Sequence, residues 1–107
     1  MSAEVEGTSA VRTLQRVNER ALRCWIRSGD RAFRDLALVP ELDTRTNDPR
    51  LLLVEKDNTR GLPKLVISAS EGDSVKITTF GPLTANSLSN RINGDVLAWS
   101  AGRSGCD

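Results

Sequence analysis

The stretch VRTLQRVNERALRCWIRSGDRAFRDLALVP, residues 11–40, decides the fold, because it reads either as one long helix or as a helix broken at Ser28, Gly29 and Asp30. At about 100° per residue, Val11, Leu14, Val17, Ala21, Leu22, Trp25 and Ile26 fall on one side of a helical wheel. Gly29, Ala32, Phe33 and Leu36 continue that apolar side in phase. Ser9 is the N-cap candidate, with Thr8 as the alternative, and Pro40 opposes any continuation. The spacing therefore predicts a helix from about residue 9 to about residue 37. Such a helix would be about 42 Å long at 1.5 Å per residue, against a diameter of about 34 Å for a compact domain of this size. Either it breaks at Gly29, with Asp30 capping a second short helix, or it overhangs and favours a homodimer.

The same stretch holds seven of the twelve arginines of the chain and no lysine. Arg12, Arg16, Arg20, Arg23, Arg27, Arg31 and Arg34 fall on the wheel opposite the apolar side, in a stripe roughly 100° wide. Residues 9–37 carry seven arginines against Glu19, Asp30 and Asp35, although the whole chain has a formal charge of only +1. An ordinary solvated face mixes signs to gain i,i+4 pairs. Here like charges recur at that spacing, which weakens the helix slightly. Guanidinium groups suit bidentate contacts with carboxylate or phosphate, so the stripe marks an anionic partner; a solvated face or packing against acids of the same chain is the alternative.

Beyond the loop PELDTRTND, three runs read as strands: LLLVE (51–55), KLVISAS (64–70) and SVKITTF (74–80). The turn EGD (71–73) forces an antiparallel hairpin, and KDNTRGLP (56–63) allows a looser one. GPLTANSLSNRING (81–94) reads as a short helix with Thr84 as N-cap and Gly94 closing it, and DVLAW (95–99) as a final strand or turn that docks Trp99. The expected fold is α+β: a long N-terminal amphipathic helix packed on a three-stranded antiparallel meander, followed by a short helix and a terminal strand or turn. It forms a single domain over residues 1–107, with 1–8 and 100–107 as mobile tails. The order α, β, β, β, α is similar to that of double-stranded RNA-binding domains, and some secretion chaperones begin with it. Neither likeness extends to motifs, since the short helix carries only Arg91 where an RNA-binding domain would place a lysine cluster.

The chain has no histidine and two cysteines. Imidazole general-base chemistry and the common zinc sites are thereby excluded, which lowers the expectation of an enzyme. No cofactor or metal is expected. The N-terminal residues lack an apolar targeting run, no window reaches the length of a membrane span, and two cysteines make a poor disulfide framework, so the expected home is the reducing cytoplasm. Cys24, between Arg20 and Arg27, is a candidate reactive thiol, because nearby cations lower a thiol's pKa. Asp43, Asp48, Glu55, Asp57, Glu71 and Asp73 are available for acid–base work, but their spacing selects no pair.

The sequence thus points to a small non-catalytic interaction or regulatory module that docks an acidic protein surface through its arginines. Sequence-tolerant nucleic-acid binding by the same stripe is the alternative, and an enzyme using the carboxylates or Cys24 a third. No membrane partner is expected.

Overall fold

The computed structural model describes residues 1–7, 9–45 and 47–106. Its first element is strand β1, Ser2–Val5, in a region expected to be a tail. Helix α1, Ala10–Ala21, follows, with Ser9 as its N-cap: the hydroxyl accepts from the Arg12 N–H at 3.1 Å. Thr8, the alternative cap, lies outside the described residues. The helix buries Ala10, Thr13, Leu14, Val17 and Ala21; Leu14, Val17 and Ala21 were expected from the spacing, whereas Val11 is only partly buried and Ala10 and Thr13 face inward instead.

The helix does not run to residue 37. Leu22–Ile26 form a π-helical turn in which the Arg27 N–H reaches back to the Leu22 carbonyl at 2.8 Å. Ser28 then donates its hydroxyl to the Cys24 carbonyl, and Gly29 takes a φ of +77°, a conformation that ends helices and that a Cβ would oppose. Asp30 caps a 3₁₀ turn, Arg31–Phe33, by accepting from the Ala32 N–H at 3.0 Å. The chain next forms β2, Leu36–Glu41, where the long-helix reading placed helix and loop. Phe33 and Leu36 reach the core as the helical phase suggested, but a turn and a strand carry them there. This break is the first of the two alternatives, and it removes the overhang that the other linked to a homodimer.

Strands β3 (Arg50–Glu55), β4 (Leu65–Glu71) and β5 (Val75–Phe80) match the three runs read from the sequence. The sheet, however, has five strands in the order β1-β5-β4-β3-β2, with every neighbouring pair antiparallel. A three-stranded meander would leave both flanks of β3 to β5 unpaired. β1 covers β5 and β2 covers β3. Pro40 lies in edge strand β2, opposite Leu51, where its missing N–H costs least.

The alternation expected in β5 holds: Val75 and Ile77 are buried while Lys76 is exposed. They join Leu51, Leu53, Leu65, Ile67 and the helices in the main core. β3 is buried on both faces, because Leu52 and Val54 pack with Val66, Ala37 and Val39 on the side of the sheet away from that core.

The last helix also departs from expectation. Pro82–Ala85 form a 3₁₀ turn in which the Thr84 hydroxyl donates to the Gly81 carbonyl, so Thr84 caps no helix. Helix α2 spans Ser89–Ser100, absorbs the segment expected as a final strand, and passes through Gly94. Ile92, Val96 and Trp99, at i, i+4 and i+7, are its buried face, and burying them outweighs the roughly 1 kcal/mol that an interior glycine costs. The residue that ends α2 is Gly102, at φ +101°. Its N–H bonds the Trp99 carbonyl and the Arg103 N–H bonds the Ala98 carbonyl, each at 3.0 Å. Among the described residues no helix is long and apolar enough to cross a membrane.

Two glycines test this assignment with opposite signs. Gly94 has open space around a built Cβ, so Gly94→Ala is expected to stabilise the protein by about 0.5–1 kcal/mol. Gly81, at φ +124°, would bring a Cβ within 2.7 Å of the Lys64 carbonyl oxygen, so Gly81→Ala is expected to cost roughly 1–3 kcal/mol. Urea denaturation midpoints measure both.

Candidate binding face

The seven arginines do not share one helix. Arg12, Arg16 and Arg20 lie on α1, Arg23 in the π turn, Arg27 at its C-cap, and Arg31 and Arg34 beyond the Gly29 break. A π turn holds more residues than an α turn, so the wheel that placed all seven in one stripe loses its phase after Ala21. Arg12, Arg23, Arg27, Arg31 and Arg34 are exposed, whereas Arg16 and Arg20 are half-buried.

The C-terminal segment explains that difference. α2 packs beside α1, and its last carbonyls lack partners within the helix, as at any helix C-terminus. Arg16 donates through Nη2 to the Ser100 carbonyl at 2.9 Å, placing a cation at the negative end of α2. Arg20 donates to the Arg16 carbonyl at 3.3 Å, and the Nε atoms of both side chains are buried without a hydrogen-bond partner. Past Gly102 the chain turns back toward α1: the Arg23 guanidinium donates to the Ser104 carbonyl, and the Trp99 indole N–H to the Gly105 carbonyl at 2.8 Å.

Cys106 completes this return by forming a disulfide with Cys24, with Cα atoms 5.2 Å apart and a separation of 82 positions in sequence. Cys24 is therefore not the reactive thiol proposed for it, and the pair overturns the reading of two unconnected cysteines. The sulfurs meet because the glycine turn at the end of α2 directs the chain across the Cys24 side of α1. Two hydrogen bonds worth about 1 kcal/mol each would not hold Arg103–Cys106 against roughly 1–2 kcal/mol of backbone entropy per residue, so the covalent link keeps the segment in place.

A second group joins the helices from the other side. Trp25 stacks on Phe33, with ring centroids 4.9 Å apart, and meets Trp99 at 5.1 Å. Arg91 lies over the Phe33 ring at 5.3 Å and pairs with Asp30 at 2.5 Å, while Asp95 accepts from the Trp25 indole N–H at 2.9 Å. The Arg91 guanidinium, helped by the Ala32 N–H, holds the Asp30 carboxyl below the ordinary carboxylate range, against the opposing effect of burial. In the sequence Arg91 stood out only as the lone basic residue of its segment, and nothing linked it to Asp30 or Asp95 to Trp25.

Among the described residues the recorded ion pairs are Asp43 with Arg45, Glu41 with Arg50, Glu55 with Lys64, and Asp30 and Asp95 with Arg91. None involves an arginine of the stripe. Glu41 and Asp43, two of the acids that could have neutralised it, have partners of their own. Glu71 accepts from the Ala10 N–H at 2.9 Å and so fills the N-terminus of α1 with a carboxylate of the same chain. An open cleft of about 430 Å³ is lined by Asp35, Leu36, Glu55, Lys56, Lys64 and Leu83 among others, and touches none of the seven arginines. Among the described residues no three His, Cys, Asp or Glu side chains gather to hold a metal.

Two outcomes follow from these contacts. Asp30 has a lowered folded-state pKa, so its contribution to stability is present above the unfolded value of about 3.9 and is lost as pH falls through the folded value. The gap in urea midpoint between wild type and Asp30→Asn is expected to be constant from pH 8 to about pH 5 and to shrink toward pH 2. Cys106→Ser is expected to lower stability by about 2–5 kcal/mol through the freedom restored to the unfolded chain, read from the same denaturation curves.

Comparison with protein-family models, with curated proteins and with solved structures finds no match to this chain.

Proposed function

We propose that the protein is a non-catalytic interaction module that docks an acidic protein surface through the arginine face of α1 and the turn that follows it. One observation carries this reading: among the described residues, the seven stripe arginines make no recorded ion pair with a carboxylate, while four other cations do. Arg12, Arg23, Arg27, Arg31 and Arg34 are exposed and supply the contacts. Arg16 and Arg20 stand behind them as half-buried cations that raise the positive potential of the face, Arg16 bonding the end of α2 and Arg20 the Arg16 carbonyl.

The mechanism is electrostatic steering of an acidic partner, followed by bidentate guanidinium–carboxylate pairing. Like charges at i,i+4 spacing weaken α1, and an anionic partner relieves that repulsion. A carboxylate surface suits the reading better than nucleic acid, because Trp25 and Trp99 are buried and no stacking aromatic stands among the exposed arginines. The cytoplasmic assignment rested in part on unpaired cysteines. The Cys24–Cys106 bond removes that premise, and docking through arginines requires no particular compartment.

The test uses fluorescein-labelled poly-glutamate and duplex DNA, titrated by anisotropy with wild type and with Arg12→Glu/Arg27→Glu across a salt series. The expected result is poly-glutamate binding that weakens with salt and falls roughly tenfold further in the variant, with an unchanged circular dichroism spectrum. Equal binding by both proteins would reduce the stripe to a solvated face. Tighter binding to DNA with a steep salt slope would replace the acidic protein by a nucleic acid.

A further inference from the structure

We infer that Arg103–Cys106 is a redox-released strap over the arginine face, held down by the Cys24–Cys106 disulfide and freed by a dithiol reductant. The inference rests on the binding reading above and adds its regulation. Three attachments hold the strap: the disulfide, the Arg23 bond to the Ser104 carbonyl, and the Trp99 bond to the Gly105 carbonyl. Each belongs to a residue on, or packed beside, the helix that carries the stripe.

The strap has a hinge at one end and a reducible bond at the other. Gly102, at φ +101°, is the turn that ends α2, and the backbone bonds of that turn stop at the Arg103 N–H. Beyond it, all of the strap residues are exposed and none belongs to a helix or strand. Releasing them therefore breaks no element of the sheet or of either helix.

The two cysteines differ in exposure: Cys24 is 4% exposed, whereas Cys106 is an exposed residue. A thiolate of the reductant therefore attacks the Cys106 sulfur, forming a mixed disulfide there and expelling Cys24 as a thiolate in a segment rich in arginine. The second thiol of the reductant displaces Cys106 and closes the reductant's own disulfide. Two electrons pass to the protein, two protons convert both cysteines to thiols, and the dithiol leaves oxidised.

Loss of the covalent tie leaves two hydrogen bonds against the freedom of four residues, so the strap detaches. Arg23 then exchanges the neutral Ser104 carbonyl for a partner carboxylate, a stronger acceptor for a guanidinium. Oxidised protein is the low-affinity form and reduced protein the high-affinity form.

The experiment compares oxidised protein, protein reduced with dithiothreitol, and Cys106→Ser, using two readouts. The first is the rate of tryptic cleavage after Arg103, followed by mass spectrometry. The second is poly-glutamate anisotropy, repeated with Arg23→Gln in both redox forms and with Arg12→Glu/Arg27→Glu as the control for the face itself. Expected are faster cleavage after Arg103 on reduction or in Cys106→Ser, affinity for poly-glutamate tighter by roughly fivefold, and loss of that gain in Arg23→Gln. Faster cleavage with unchanged affinity overturns the strap, while continued sensitivity to Arg12→Glu/Arg27→Glu leaves the binding reading standing. Unchanged cleavage overturns the release step. Loss of the folded circular dichroism spectrum on reduction shows the bond to be part of the fold and also overturns the proposal. Binding of poly-glutamate by neither redox form overturns the binding reading, and the strap with it.

Discussion

The stacking of Phe33 on Trp25 depends on the chain reversing between them, and that reversal depends on Gly29. A residue with a Cβ would resist the φ of +77° found there. With the turn made, Phe33 folds back onto the last turn of the preceding helix, Trp99 closes against Trp25, and the segment after Phe33 is delivered to the open flank of β3. One backbone conformation thus sets the length of α1, the origin of β2 and the meeting place of both helices. Had the helix continued, its apolar positions would have stayed in phase, but Leu38 and Val39 would have left the β3 flank uncovered.

Around this stack the protein uses arginine in two ways. Arg91 pairs with Asp30 and Asp95 and lies over the Phe33 ring, a partly exposed cluster that joins α2 to the turn after Gly29. The stripe arginines lie on α1 and in the turn beyond it, and two of the acids that could have paired with them, Glu41 and Asp43, are occupied elsewhere. Arg16 stands between the two groups. Its guanidinium completes the C-terminus of α2, so part of a face read from sequence as a binding surface also ties the helices together.

The chain end obeys the same geometry. Gly102 terminates α2 in a left-handed turn, and the chain then runs back along α1 until Cys106 meets Cys24. A link across 82 positions constrains most of the unfolded chain, yet in the folded state it fastens only four residues beyond the turn. That contrast lets one bond contribute to stability and also govern access to a surface.

By itself the sequence determined the α+β class, the strands near 51–55, 64–70 and 74–80 with their antiparallel hairpin, the inward placing of Leu14, Val17 and Ala21 on α1 and of Trp25 in the turn after it, and the concentration of arginine in that helix and turn. These follow from side-chain periodicity and turn chemistry within about ten residues, where the local code is strong. Asp30 as a cap after a break at Gly29 was also legible, as one of two readings of residues 11–40. Only the tertiary structure chose between those readings, because helical phase persists through Phe33 and Leu36 whether a helix or a strand delivers them to the core. It alone decided that Ser2–Val5 and Leu36–Glu41 become edge strands, since their pairing energy comes from β5 and β3 and not from their own sequence. The placing of Gly102 rather than Gly94 at the end of α2 needed the buried face of Ile92, Val96 and Trp99, which a helix closed at Gly94 would have divided. The division of the arginines and the pairing of the cysteines rest on contacts 81 to 84 residues apart, and no local pattern encodes a separation of that length.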